Sequence, residues 1–194
     1  MFKSNVIGLA SLLSLTASLV AATETYKTDA GHTEVFFGWS HAGVSMQHGE
    51  FTRVEGLLNI DPVAPENAFL DVAIDVSSIA TGVPALDREL LNSSWLNAEA
   101  HPEITFKSTG ITLTGENTAD VVGDLTMNGR TNPVVLKAEL LHQGKHPVGA
   151  FLSAYKGEWL AFHAETKIRH RAFGVGDYST GDIFIEINAE LQRQ

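Results

Sequence analysis

The sequence contains no cysteine among its 194 residues. This absence excludes disulfide bridges, thiolate zinc sites and cysteine nucleophiles, and with them the lipid-modified cysteine of a bacterial lipoprotein. Positive charge is also scarce: 13 Lys and Arg stand against 23 Asp and Glu, for a formal net charge of −10. Because phosphate backbones attract basic surfaces, this balance argues against a nucleic-acid-binding protein.

Recognisable catalytic and metal-binding motifs are missing as well. The chain has no Gly-x-Ser-x-Gly elbow, P-loop, dinucleotide fingerprint, Ser-x-x-Lys or His-Glu-x-x-His pattern. Asp71 and Asp75 fall on the polar face of a predicted strand, so we interpret them as solvated charges rather than an acid–base pair. The eight histidines are scattered. We therefore predict no catalytic residues, no metal site and no cofactor beyond a bound lipid.

Only one long charge-free apolar run is present, from Val6 to Val20, after the single positive charge of Lys3. It is too short for a membrane span, and the small residues Ala21 and Ala22 follow it, which is typical of a secretory signal peptide. We predict a signal peptide over residues 1–22, cleaved after Ala22, and one domain over residues 23–194. The mature chain is expected to be exported, most simply into a bacterial periplasm.

The rest of the chain alternates between apolar and polar residues, the period of half-buried strands. Five alternating segments are strong: 35–41, 70–76, 121–127, 134–140 and 183–191; three weaker ones cover 50–60, 103–113 and 160–168. Asn128-Gly129 is a strong turn signal between two of them. The spacing therefore predicts about eight strands.

One segment, about 84–100, lacks this alternation and shows helical spacing instead. Leu86 and Leu90, and then Leu91 and Trp95, are four residues apart, and Pro84 suits a first helical turn. We predict a short helical insertion between strands here.

The fold class predicted is all-β, an eight-stranded antiparallel barrel. Each strong strand has one dry and one wet face, and a single sheet must close to hide its dry face. An eight-stranded barrel is either filled by its side chains or just wide enough for one small ligand. The small inner positions Gly123, Ala138, Ala164 and Ala189 favour free volume, whereas large aromatic residues such as Phe37 and Phe106 could fill it.

An ordered set of motifs gives the chain a family resemblance. The set begins with Asp29-x-x-His32-Thr33-x-Val35-x-Phe37-x-Trp39-x-His41 and continues with Gly56-x-Leu58-x-Ile60-Asp61 and Val76-x-Ser78-Ile79-x-Thr81-Gly82. It ends with Pro102-x-Ile104-Thr105-Phe106, Gly123-Asp124-Leu125-Thr126 and Phe162-x-Ala164-x-Thr166-x-Ile168. Together these segments resemble the YceI-like family of exported, lipocalin-like barrels associated with polyisoprenoid lipids and isoprenoid quinones. One departure is that His170 stands where the family usually has Arg.

The resemblance implies a long-chain apolar ligand inside the barrel. The predicted ligand-binding residues share the inward strand parity or the helical segment: Val35, Phe37, Trp39, His41, Leu58, Leu70, Val72, Ile74, Leu90, Leu91, Trp95, Phe106, Leu125, Met127, Leu136, Leu140, Phe162 and Ile168. Leu90, Leu91 and Trp95 are expected to cover one mouth. For His41 two interpretations stay open, contact with a ligand head group and a buried neutral histidine satisfied by a neighbouring group.

Three functions are consistent with the sequence. The first is a binding protein that carries or stores a polyisoprenoid or isoprenoid quinone without catalysis. The alternatives are a barrel enzyme using His41 as acid or base, and a stress-related interaction protein with a filled barrel. Expected partners are the lipid, a transient membrane contact and, through exposed Phe36 and Phe69, a homodimer.

Overall fold

The computed structural model describes residues 22–176 and 181–194, so all of the predicted signal peptide except Ala22 lies outside the described residues. Ten strands and one α-helix occur in this part of the chain. In chain order they are β1 (Glu24–His41), β2 (Ser45–Phe51), β3 (Val54–Ile60), β4 (Phe69–Asp75), β5 (Ile79–Ala80), α1 (Pro84–Leu91), β6 (Glu103–Leu113), β7 (Thr118–Met127), β8 (Arg130–Lys145), β9 (Glu158–Ile168) and β10 (Ile183–Arg193).

The strands close into an antiparallel barrel. The sheet order runs β10-β9-β8-β7-β6-β4-β3-β1, and β10 also pairs with β1. The first half of β1 pairs with β3 and its second half with β2, so β2 and β3 are two parts of one strand interrupted at Thr52 and Arg53. In the same way β5 follows β4 and pairs with β2. The described residues thus form eight strand positions, which confirms the predicted eight-stranded antiparallel barrel.

Strand parity separates a wet outer face from an apolar inner face. On β4 and β6, Val72 pairs with Phe106 on the inside, and the adjacent Asp71 pairs with Lys107 on the outside. Lys107 Nζ lies 2.6 Å from an Asp71 carboxylate oxygen, and the guanidinium of Arg53 lies 2.7 Å from Asp75. These side chains are largely exposed, so Asp71 and Asp75 form surface ion pairs that contribute little to stability.

The helical insertion is shorter than the sequence indicates. α1 begins with Pro84 in its first turn, as predicted, but it ends at Leu91 instead of near residue 100. Asn92 adopts an extended conformation and its side chain accepts a hydrogen bond from the backbone of Ser94. This local bond competes with further helical turns. Residues 92–100 therefore form turns, and Trp95 does not lie on the helix.

Glycine at two inner positions makes room for aromatic rings. A Cβ atom on Gly123 would lie 2.3 Å from Cζ of Phe106 and 2.7 Å from the backbone oxygen of Lys107. A Cβ on Gly49 would lie 2.4 Å from the ring of Phe37. The expectation that Gly123 leaves free volume is therefore wrong, because the ring of Phe106 occupies that space.

We expect Gly123→Ala to destabilise the barrel by about 1–3 kcal/mol, because the ring and the Lys107 carbonyl have to shift to admit a methyl group. Gly110, which lies on the neighbouring strand with no atom within 4 Å of a built Cβ, offers the matched control Gly110→Ala. Urea unfolding of the two variants measures the difference. Equal stability of the two variants would contradict the close Phe106–Gly123 packing.

Candidate ligand-binding cavity

A cavity of about 860 Å³ occupies the inside of the barrel. It reaches both ends. At one end, called the α1 end, its lining includes His41, Leu90 and Trp95; at the other end, called the turn end, it includes Pro62 and Asn117. His41 and Asn117 are both exposed, so the cavity reaches the rim of the barrel at each end.

The cavity wall is overwhelmingly apolar. Among the described residues no Lys or Arg lines it, and the single carboxylate in the lining, Glu116, is exposed at the turn end. Tyr26 is buried in the wall and its hydroxyl donates a hydrogen bond to Glu24. Burial and that hydrogen bond raise the pKa of Tyr26 to about 12, so the phenol stays neutral. Apart from Glu116, His41 and His170, the wall therefore consists of apolar and neutral polar side chains.

All of the predicted ligand-binding residues except Leu91 line this cavity. They come from most of the strands, together with two residues of the insertion: Val35, Phe37, Trp39, His41, Leu58, Leu70, Val72, Ile74, Leu90, Trp95, Phe106, Leu125, Met127, Leu136, Leu140, Phe162 and Ile168. Leu91 is partly buried and packs against the main core. His41 is exposed at the α1 end, so the interpretation of His41 as a buried histidine is wrong.

Other lining residues were not among the predicted set. Ile183, Ile185, Ile187, Ala189 and Leu191 of β10 form a continuous stripe in the wall. Their alternation is visible in the sequence and would have been a sufficient signal to include them among the predicted ligand-binding residues. His170 and Val175 also line the cavity, but they belong to a 3-10 helix and the turn after it, where no periodic signal exists.

The α1 end is partly covered by the insertion. Leu86 and Leu90 of α1 and the following Trp95 line the cavity there. The indole Nε1 of Trp95 donates a hydrogen bond of 3.2 Å to Glu89, and its ring lies over Gly176, where a Cβ would be 2.3 Å from Trp95 Cζ3. Trp95 thus bonds to α1 within the insertion and packs against Gly176, which holds the insertion to the segment after β9.

A cluster of ionisable side chains lies on the outer face of the barrel. His163 Nδ1 lies 3.0 Å from the side-chain oxygen of Asn188, and its Nε2 lies 3.3 Å from Glu165. Within residues 22–176 and 181–194, no group of three or more His, Asp or Glu side chains is arranged to hold a metal ion. In the same ranges no helix has the length and apolar character needed to cross a membrane.

The His163 contacts predict a pH-dependent contribution to stability. The hydrogen bond with Asn188, and then that with Glu165, raises the pKa of His163 above its usual 6.5 in the folded state. The contribution is therefore fully present below the unfolded pKa and is lost as the pH rises through the folded pKa. We expect His163→Gln to lower the melting temperature more at about pH 5 than at about pH 8.5. A loss of equal size at both pH values would contradict this assignment.

A closed eight-stranded barrel around an apolar cavity places the protein in the class of lipocalin-like barrels. The model of the YceI-like domain matches residues 26–192, and the chain belongs to the YceI-like family. A UPF0312 protein of Pseudomonas putida is 34% identical over 177 residues, covering 90% of this chain and 88% of that protein. Protein YceI of Salmonella arizonae is 35% identical over 175 residues, covering 89% and 87%.

Solved structures share the fold. The BcnA protein of Burkholderia cenocepacia matches with a TM-score of 0.71 at 21% identity, over 84% of this chain and 98% of that one. The YCEI protein of Campylobacter jejuni matches with a TM-score of 0.69 at 24% identity, over 80% and 90%. A polyisoprenoid-binding domain from Saccharophagus degradans matches with a TM-score of 0.64 at 10% identity, over 87% and 98%.

Proposed function

We propose that the protein binds a polyisoprenoid lipid or an isoprenoid quinone inside the barrel and acts as its carrier or store, without catalysing a reaction. The observation that carries this proposal is the overwhelmingly apolar cavity that runs from one end of the barrel to the other. The Saccharophagus degradans domain of the same fold, described as polyisoprenoid-binding, supports the choice of ligand.

The cavity volume sets the amount of ligand that fits. At about 30 Å³ for each water-sized group, 860 Å³ holds roughly 28 non-hydrogen atoms. Each isoprene unit has five carbons, so about five units fit, and the remainder of a longer chain has to leave the barrel at one end. Burial of a hydrocarbon is worth about 25 cal/mol per Å², less the cost of ordering a flexible chain. The wall therefore suffices for binding without specific polar contacts along the tail.

The two alternative functions meet specific obstacles. A filled barrel is inconsistent with the cavity of about 860 Å³. For an enzyme, His41 would need a second titratable group beside it. Within the part of the chain that the structure describes, no titratable side chain is hydrogen-bonded to His41, which is exposed at the rim. A binding role needs no such neighbour.

The proposal extends to where the protein works and what it meets. The signal-like residues 1–22 support export to the periplasm. There the protein would exchange its ligand in transient contact with a membrane surface. Phe36 and Phe69, whose exposed fractions are 36% and 42%, are the proposed homodimer contacts.

Purification followed by organic extraction and mass spectrometry tests the function directly. We expect a prenyl lipid or isoprenoid quinone in about stoichiometric amount in the extract of the native protein. A lipid-free preparation that also fails to bind added geranylgeraniol or a prenylated quinone would refute the proposal.

A further inference from the structure

One buried histidine in the cavity wall has a ring nitrogen without a hydrogen-bond partner among the described residues. His170 begins the 3-10 helix His170–Phe173 directly after β9, lines the cavity at the α1 end and is only 3% exposed. Its Nδ1 is hydrogen-bonded to the backbone carbonyl of Val175. Because a carbonyl can only accept, Nδ1 carries the proton, and Nε2 of the neutral ring is therefore an acceptor.

The other buried polar groups of the wall already have protein partners. The hydroxyl of Thr33 donates to the carbonyl of Glu190, and that of Tyr26 donates to Glu24. Across residues 22–176 and 181–194, by contrast, Nε2 of His170 has no hydrogen-bond partner. Because His170 lines the cavity, a polar group of the ligand can become the partner of this nitrogen.

The charges around His170 decide which polar group fits. The lining of the described cavity holds no Lys or Arg to neutralise an anion. The carboxylate of Asp182, which precedes β10, is already paired with Lys167 at 2.9 Å. A diphosphate placed beside Nε2 would be buried without a cation, which is costly. A quinone carbonyl would not satisfy Nε2 of the neutral ring either, since it accepts hydrogen bonds and cannot donate one.

This inference rests on the proposed function and names the chemistry of the head group. We propose that His170 anchors the ligand by accepting, at Nε2, a hydrogen bond from a hydroxyl group at the end of a prenyl chain. Two sources carry such a hydroxyl, a polyprenol and a prenylated hydroquinone. Both reach this position by entering the α1 end tail first or by threading head first from the turn end, and in each case the tail lies along the apolar wall.

Two matched ligand pairs test the anchor on the wild-type protein. Geranylgeraniol is compared with its methyl ether, and a prenylated hydroquinone with the corresponding quinone under anaerobic conditions. We expect one or both hydroxyl ligands to bind about tenfold more tightly than their partners, the gain of one buried hydrogen bond. The pair that shows the preference identifies the source. Equal affinities within both pairs overturn the inference, and the proposed function survives provided that these probes bind.

Variants assign the preference to this side chain. In His170→Phe the hydroxyl preference is expected to disappear while the affinity for the ether or the quinone is kept. The same substitution at His48, which is exposed outside the cavity, should leave the preference intact. A preference that persists in His170→Phe overturns the inference. Failure of every probe to bind the wild type overturns the proposed function as well.

A second measurement tests the anchor without requiring the His170→Phe variant to fold. In wild-type protein labelled with ¹⁵N-histidine, the Nε2 resonance of His170 should shift when the preferred hydroxyl ligand is added and stay in place with its ether or quinone partner. An unchanged resonance with a bound hydroxyl ligand rejects the anchor.

Discussion

Ala138→Phe is expected to weaken prenyl-lipid binding by at least about tenfold while leaving the barrel folded. Ala119, Ala138 and Ala164 are paired across β7, β8 and β9, and this row of small residues forms one side of the cavity. A phenyl ring at its centre takes volume from the ligand. Displacing two or three ligand carbons costs about 2 kcal/mol at about 0.8 kcal/mol each, which corresponds to more than a tenfold loss.

Val135→Phe is the matched control for Ala138→Phe. Val135 lies on the same strand with its side chain outward and 44% exposed, so the added ring does not enter the barrel. Titration with geranylgeraniol measures ligand binding by both variants, and thermal unfolding measures their stability. Because a ring that fills part of the cavity gains contacts, we expect the melting temperature of Ala138→Phe to be at least that of the wild type. Unchanged binding in Ala138→Phe would exclude the barrel interior as the ligand site.

Trp159→Ala is expected to reduce the free energy of unfolding by about 3–5 kcal/mol, the usual cost of removing a buried tryptophan ring. Trp159 is 1% exposed although it lies on the outer parity of β9. The loop before β9 covers it: its Nε1 donates to the Tyr155 carbonyl at 3.1 Å, and its ring stacks on Tyr155 at 5.4 Å and meets His146 at 5.1 Å. The indole therefore fixes this loop to the barrel wall.

Trp159→Phe separates ring packing from the hydrogen bond, because it keeps an aromatic ring and loses one donor. We expect it to lose only about 1 kcal/mol. Trp159 does not line the cavity, so the folded fraction of either variant should bind geranylgeraniol with unchanged affinity. Urea unfolding supplies the stabilities. A loss in Trp159→Ala no larger than that in Trp159→Phe would show that the ring packing contributes little.

The barrel fold and the inward direction of most wall residues could be predicted from the sequence, because a strand with one apolar and one solvent-exposed face alternates with a period of two. The prediction failed where an irregularity in the strand interrupts that alternation. β1 begins at Glu24, well before the predicted Val35, and its pairing with β10 shifts register between Thr28 and Thr33. That irregularity hides the first half of the strand from any alternation analysis.

The free volume depended on details that residue types do not reveal. Gly123 and Ala138 are both small inner positions, yet the Phe106 ring covers the first and the cavity extends along the second. The outcome depends on which way a neighbouring ring turns, which is a property of tertiary packing. The burial of His170 could not be predicted either, because the residue lies in a 3-10 helix where no periodic pattern separates inner from outer positions.

Photolabelling tests the central claim most directly, namely that the ligand lies among the inward-facing side chains. A geranylgeraniol analogue carrying a diazirine on its tail is irradiated in the complex, and the modified residues are mapped by mass spectrometry. We predict labels at alternate positions, such as Val72, Ile74 and Leu136, and none at the intervening Asp71, Ala73 and Lys137. Labels confined to outward positions, or to exposed apolar residues such as Phe151, would contradict an internal site.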